Sequence, residues 1–259
     1  PAARDDAVPL SEAALERLSH DEDPGDVHGW LKWVTGAVAF GLSCYALYWT
    51  QFSVNTTVYR ASFLAISLAL VILRHPLLRG ETPRTRRPTI EEWATSALAI
   101  ALIGFVIHEA KLFERSAFAG GVAVVFALCF ALYPVAVMNR FLGRIRPMDW
   151  IFVGLVLWTA IYLSINIEAY KTRPTRPTPD EIVLGTVLIL LVLEGTRRAV
   201  GWILPAIAVL FLAYCYLGPM IPAPFDHRGF SLNRIIGQNF LTLEGVFSTP
   251  VEVAVTFII

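Results

Sequence analysis

Long apolar runs follow one another from Trp30 onward, and short polar stretches separate them. A helix that crosses a membrane needs about 20 mostly apolar residues. Seven runs reach or approach that length, and an eighth begins near Val251. The seven runs are about 33–50, 58–73, 93–107, 116–137, 150–167, 182–193 and 202–217. The pattern therefore predicts an all-α fold, a polytopic membrane helix bundle with about seven spans.

Two segments near the end of the chain differ from the spanning runs. Over residues 230–247, apolar positions recur at helical spacing and leave a polar face with Asn233, Arg234 and Gln238. This pattern favours a helix that lies in the membrane interface. The apolar run 251–259 has a helical length of about 14 Å, too short for a hydrocarbon core of about 30 Å. We therefore expect a truncated eighth span, completed by a continuing polypeptide or by another chain.

Composition narrows the functional classes. Apolar residues make up 56% of the 259 residues and charged residues 16%, whereas soluble domains have about 25% charged residues. The 21 basic and 21 acidic residues balance, so nothing indicates nucleic acid as a partner. The three cysteines lack metal-site spacing, and we expect them to be buried, with no metal or cofactor. No P-loop, HExxH or GxSxG motif occurs, so we expect neither an enzyme nor an ATP-driven transporter.

Charge is distributed unevenly along the chain and predicts an orientation. Residues 1–32 have a net charge of −5, with eight acids and three bases. We interpret residues 1–29 as an acidic cytoplasmic tail. Ten basic residues lie on the side that shares the N-terminus and seven on the other side. Because basic residues concentrate in cytoplasmic loops, a multi-pass protein with a cytoplasmic N-terminus is predicted.

A proline-rich stretch divides the apolar part of the chain. Residues 171–180 contain three prolines among basic and threonine residues, a composition that favours an extended linker. This linker separates the membrane region 30–170 from the segment 181–259.

Charged residues within apolar runs are candidate functional residues, because burying charge in a membrane is costly. Glu194, Arg197 and Arg198 end the run 182–193, and Glu194 and Arg198 have the i, i+4 spacing of a helical ion pair. They are candidate gating or anchoring residues, or else they mark a helix end at the cytoplasmic surface. We expect Arg60 to reach out to the membrane surface and Glu252 to act as a helix cap.

The segment from Asp180 to Ile259 carries a family resemblance. Its motifs are LVLEGTRRAVGWILP (191–205), GP (218–219), HRGFSL (227–232), LEGVFSTP (243–250) and VAVTFI (253–258). These motifs resemble the fused membrane permease of TRAP transporters (tripartite ATP-independent periplasmic transporters) of the TAXI-associated type. The upstream runs resemble the small-subunit region of that permease in general pattern.

The resemblance implies a secondary transporter in the bacterial inner membrane. A periplasmic TAXI-type binding protein would deliver an organic solute, and a cation gradient, usually sodium, would drive uptake. Residues 30–170 would then be a small-subunit-like scaffold, and residues 181–259 the start of the large-subunit-like transport region. The family's Gly-Ser-rich ligand motifs do not occur here, so we expect the substrate-binding residues downstream of Ile259, in the remaining permease helices.

A second function stays open beside the permease. The chain could be a membrane scaffold or accessory subunit of a larger complex that transports nothing. The sequence identifies neither the solute nor the coupling ion.

Overall fold

The computed structural model describes residues 30–51, 55–75, 90–138, 147–173 and 176–257. Within these ranges the regular elements are helices and no strand occurs, so the all-α prediction is confirmed there. In chain order the helices are α1 (Trp30–Gln51), α2 (Thr56–Arg74), α3 (Ile90–Glu109), α4 (Leu112–Arg115), α5 (Ala117–Met138), α6 (Pro147–Ile165), α7 (Ile167–Thr172), α8 (Pro179–Val200), α9 (Ile203–Leu217), α10 (Leu232–Leu241) and α11 (Thr249–Phe257). The acidic tail 1–29 and the basic loops 76–89 and 139–146 lie outside the described residues.

Each predicted apolar run overlaps a helix, and three of the shorter runs become longer helices. The runs 58–73, 93–107 and 182–193 correspond to helices of 19, 20 and 22 residues. Polar residues extend these helices at both ends, most clearly in α8. Apolar periodicity alone therefore underestimates the length of a helix whose ends are charged.

Two of the described helical segments are long and apolar enough to cross a membrane. They are Thr56–Arg74 and Ile203–Met220, the second of which includes a 3-10 turn after α9. Shorter apolar segments occupy Trp93–Glu109, Ala117–Leu132 and Asp149–Ile165. The total of seven spans stays a prediction.

Helix α8 is the centre of the bundle and contacts α2, α3, α5, α6, α9 and α10. Its start is fixed by a capping interaction, in which the backbone N–H of Thr178 donates to the Glu181 carboxylate at 2.6 Å, with Pro179 in the first turn. Its end is marked by Gly201 with φ of 101°, a conformation that favours glycine. Ile182 and Leu191 are fully buried between these ends.

Small residues allow α2 and α8 to approach their neighbours closely. Ala61, Ala65 and Ala69 form a buried stripe on α2, which packs along α6. Gly195 of α8 lies against Leu68, whose side chain occupies the space that a Cβ would need. Small side chains at helix contacts are typical of membrane bundles, because they maximise van der Waals contact.

Helices α9 and α10 pack against the rest of the bundle to different extents. Pro205 is the one buried residue of α9, and large apolar side chains such as Leu210 and Phe211 are exposed. In α10, Ile236 and Phe240 are buried against Gly185 of α8, where a Cβ would come within 2.7 Å of Ile236 Cγ2. Of the predicted interfacial helix 230–247, residues 232–241 are helical. Its position in a membrane interface stays a prediction.

Candidate functional site at the C-terminal end of helix α8

The last two turns of α8 place three charged side chains together. Glu194, Arg197 and Arg198 have spacings of three and four residues, which put them on one side of a helix. The Arg198 Nε donates to Glu194 Oε1 at 2.7 Å, as the i, i+4 spacing predicts. The Arg197 Nε and Nη2 donate to the two Glu194 oxygens, each at 2.8 Å. One carboxylate thus binds both guanidinium groups.

Asp149 joins this group from another helix. Its Oδ1 accepts a hydrogen bond from Arg198 Nη1 at 2.8 Å. The side chains of Arg198 and Asp149 are each 4% exposed, and that of Glu194 is 3% exposed. We call Asp149, Glu194, Arg197 and Arg198 the helix-end cluster. It contains two positive and two negative side chains, so its formal charge is zero.

The helix-end cluster connects the ends of three helices. Arg198 Nη1 also reaches the carbonyl oxygen of His75, the residue that ends α2, at 3.5 Å. Asp149 lies in the first turn of α6, where the helix dipole favours a negative charge, and the arginines lie in the last turn of α8, where it favours a positive one. The backbone charge distribution and the side-chain pairing therefore act in the same direction.

Aromatic rings cover the two guanidinium groups. The Arg198 guanidinium carbon lies 5.6 Å from the centre of the Phe152 ring, and that of Arg197 lies 5.4 Å from the Trp202 ring. Both distances fall within the range of cation–π attraction. Burial of this kind raises the cost of removing one partner, because the remaining charge would have no water to solvate it.

Sequence reasoning identified three members of the cluster and missed two contacts. Asp149 was not among the candidate residues, although an acidic residue in a first helical turn is a recognisable signal. The His75 carbonyl could not have been found, because it depends on where α2 ends relative to α8. The structure places the two members of α8 predicted to pair in contact, and it leaves their gating or anchoring role as a prediction.

A second polar contact lies at the opposite end of α2 and corrects one prediction. Arg60 is buried and does not extend outward as expected. Its Nη1 donates to the Phe247 carbonyl at 3.1 Å, and its Nη2 lies 2.7 Å from a Glu252 carboxylate oxygen. Glu252 is in the first turn of α11, so the expected favourable helix-end position holds, but the residue also forms an ion pair. The carbonyl of Phe247 offered no signal in the sequence.

A third group of polar contacts surrounds the start of α8. Arg173 donates to both carboxylate oxygens of Glu181, at 2.8 and 3.0 Å. The Ser116 hydroxyl donates to Asp180 at 2.9 Å and accepts from the backbone N–H of Ala119 at 3.2 Å. These contacts connect the start of α5, the segment before α8 and the first turn of α8.

Two apolar cavities lie beside α8, between α3 and α9. One has a volume of about 410 Å³ and reaches Glu194, Arg197 and Trp202. The other has a volume of about 330 Å³ and extends toward Tyr216 and α10. They share five wall residues, which are Leu102, Leu190, Leu193, Val209 and Ala213. The two cavities therefore form one groove.

Possible metal ligands do not gather in the described part of the chain. No group of three or more His, Cys, Asp or Glu side chains there could hold a metal ion. The three cysteines are free: Cys129 is buried, Cys215 is half-buried and Cys44 is exposed. The predicted burial of Cys44 is therefore wrong, because its position on α1 faces away from the bundle.

Comparison of the chain with protein-family models, curated proteins and solved structures gave no significant match. The function is therefore argued from the site and the fold.

Proposed function

We propose that this chain is the membrane-embedded part of a cation-coupled secondary transporter, in which it supports the helices that move solute. The observation that supports a membrane bundle is the alternation of helix ends. The end of α2, the start of α6 and the end of α8 meet in the helix-end cluster. The starts of α5 and α8 meet through Ser116 and Asp180, as they would on the opposite face of a membrane.

The exposed surface supports the same proposal. Large apolar side chains are exposed on α9, including Ile203, Leu210 and Phe211. Exposed apolar area of this extent is unusual for a soluble monomer and typical of surfaces that face lipid or another helix. We therefore propose seven spans that alternate in direction, with the helix-end cluster near the cytoplasmic surface of the inner membrane.

The resemblance of residues 180–259 to TAXI-type TRAP permeases supplies the transport part of the proposal. On this proposal a periplasmic binding protein delivers an organic solute, and sodium entry drives its uptake. The two cavities have mostly apolar walls, and the charged groups that line one of them are already paired within the helix-end cluster. We propose that the remaining permease helices provide the sodium and solute sites.

A specific observation favours the alternative, a non-transporting scaffold. The helix-end cluster ties α8, at the start of the predicted transport region, to α2 and α6 of the predicted scaffold region. Its charges are largely satisfied within the chain, as expected of a rigid support. A moving transport domain would need these contacts to break or to travel with α8.

Uptake into sealed proteoliposomes distinguishes the two functions. The complete gene product, with its binding protein and an inward sodium gradient, is tested against a panel of labelled organic acids and amino acids. Gradient-dependent accumulation that requires the binding protein supports the permease. Stable binding inside another complex without accumulation of any solute supports the scaffold.

Cysteine labelling tests the orientation independently of transport. In a variant with Cys44, Cys129 and Cys215 replaced by serine, an impermeant thiol reagent is added to intact cells. We expect the reagent to modify the thiol introduced by Thr175→Cys and to leave the thiol introduced by Thr85→Cys unmodified. Modification of Thr85→Cys would overturn the proposed orientation.

A further inference from the structure

The groove between α3, α8 and α9 has the polarity of an amphiphile. Leucine, valine, alanine and aromatic side chains form most of its wall, and its charged groups lie at one end, where Glu194, Arg197 and Trp202 are found. The Trp202 indole N–H is buried and has no hydrogen-bond partner among the described residues. A buried donor without an acceptor is costly, so this end of the groove favours a ligand that brings an acceptor oxygen.

The dimensions of the groove fit a lipid chain. Along α8 its wall extends from Thr186 to Arg197, which is about 16 Å at 1.5 Å per residue. One leaflet provides about half of a hydrocarbon core of about 30 Å. An apolar space of this kind does not fill with water. The groove is therefore about as long as one leaflet is deep and requires an apolar occupant.

The groove opens to the side of the bundle. Two residues of its wall, Leu98 and Leu210, are 44% and 67% exposed. In contrast, Leu190 at its floor is 8% exposed. In a membrane the exposed rim would face lipid, the most abundant apolar molecule there, while the floor would be reached only by a chain that enters the groove.

We propose that the groove binds one acyl chain of a cytoplasmic-leaflet phospholipid. An ester or phosphate oxygen of this lipid accepts a hydrogen bond from the Trp202 indole N–H. This inference rests on the membrane embedding in the proposed function and does not depend on transport. The lipid would fill the space beneath α9, a helix of 15 residues of which Pro205 alone is buried, and would hold it against α3 and α8.

Photo-cross-linking tests the site directly. The chain is reconstituted into phosphatidylcholine–phosphatidylethanolamine vesicles that contain a phosphatidylcholine with a diazirine in one acyl chain. Labelled residues are identified by mass spectrometry. We expect label on Leu190 or Leu193 as well as on exposed residues such as Phe211. Label on Phe211 without label on the groove floor would overturn the lipid site.

Two alanines of α9 provide a matched pair of variants. Ala213 lies in the wall of both cavities, whereas Ala208 lies in neither, and both are half-buried. Ala213→Phe should reduce labelling of Leu190 about tenfold, because a ring in the groove displaces methylene groups of the chain. Ala208→Phe should leave it unchanged. Equal labelling of both variants would contradict the proposal, provided that both retain their helical circular dichroism.

The polar end is tested by Trp202→Phe, which keeps a ring and removes the donor. We expect labelling of Leu190 to fall about fivefold, as the loss of one hydrogen bond predicts. Unchanged labelling would overturn the headgroup contact. Disulfide-linked dimers of Ala213→Cys, in a variant without native cysteines, would assign the groove to a second copy and overturn the lipid proposal.

Failure of this proposal is distinguishable from failure of the proposed function. A chain that does not float with the vesicles and receives no label anywhere would refute membrane embedding. A chain that floats and is labelled on its exposed faces, but not at Leu190 and Leu193, would refute the lipid site alone.

Discussion

Each end of helix α8 has a buried glutamate, and the two glutamates bind different kinds of partner. At the start, Glu181 caps its own helix and binds Arg173, eight residues earlier, whose side chain is 32% exposed. At the end, Glu194 binds Arg197 and Arg198, and Arg198 continues to Asp149 on α6 and to the His75 carbonyl on α2. The contacts of Glu181 are therefore local in the chain, whereas those of Arg198 are tertiary.

The two ends differ in how much water can reach the partner of each buried glutamate, and this exposure determines the cost of losing an ion pair. Arg173 can be solvated if its partner is lost, because a third of its side chain is exposed. Arg198 and Asp149 have almost no access to water, so each depends on the other. We therefore expect substitutions at the end of α8 to affect the whole bundle and substitutions at the start to affect mainly the first turn.

The largest effect is expected for Arg198→Met, which leaves Asp149 buried without a cation. The free energy of unfolding should fall by about 3–5 kcal/mol, the usual cost of breaking a buried ion pair. Reversible unfolding in detergent micelles, followed by circular dichroism, measures this change.

The double variant Arg198→Met with Asp149→Leu is the control. Glu194 keeps its two bonds to Arg197 in that variant, and an apolar pair replaces the charged one, so most of the stability should return. A double variant as unstable as the sum of its single variants would show that Asp149 and Arg198 do not depend on each other.

A smaller effect is expected for Arg60→Met at the other end of α2. The Phe247 carbonyl would lose its donor while buried, but Glu252 would remain half in solvent, so the cost should be about 1–3 kcal/mol. Unfolding in the same micelles gives the number. Glu252→Gln, which leaves the bond to the Phe247 carbonyl intact, should cost less; an equal or larger cost would contradict this assignment.

Glu181→Ala should destabilise the start of α8 by about 1–2 kcal/mol, the usual cost of losing a helix cap. Amide hydrogen exchange should accelerate over residues 179–184 and remain slow over 194–200. Faster exchange at both ends would remove the distinction between a local and a tertiary end.

The smallest effect is expected for Arg173→Lys, which keeps a cation beside the buried Glu181 carboxylate and loses only the two-bond geometry of the guanidinium group. Because the Arg173 side chain is partly exposed, the loss should be about 1 kcal/mol or less. The comparison with Glu181→Ala separates the cap from the ion-pair geometry, since Glu181 keeps its bond to the Thr178 N–H when Arg173 is replaced. A loss as large as that of Glu181→Ala would mean that the ion-pair geometry dominates.

These contacts also refine the pairing expected from the sequence alone. The i, i+4 spacing predicts that Glu194→Ala lowers the yield of folded protein and that removing both Glu194 and Arg198 partly restores it. In the structure, this double variant would remove the Glu194 carboxylate from Arg197 and the Arg198 guanidinium from Asp149. The pair Asp149 and Arg198 is therefore the better test of coupling.

The sequence by itself determined the helices and much of their order. Apolar runs of about 20 residues form helices because a helix pairs its backbone N–H and C=O groups internally. The segment can then bury its apolar side chains without leaving backbone polar groups unpaired. The spacing of Glu194, Arg197 and Arg198 likewise determined that they share one side of α8, since the geometry of a helix fixes neighbours three and four residues apart.

Tertiary structure alone decided which distant groups complete those side chains. Asp149 and the His75 carbonyl reach Arg198 because α2 and α6 pack together with α8, and no local spacing encodes such a meeting. The same holds for Arg60. Its side chain would be exposed if it extended outward, but it is buried because it binds the Phe247 carbonyl and Glu252. A buried charge takes the partner that packing brings to it, and packing depends on every helix at once.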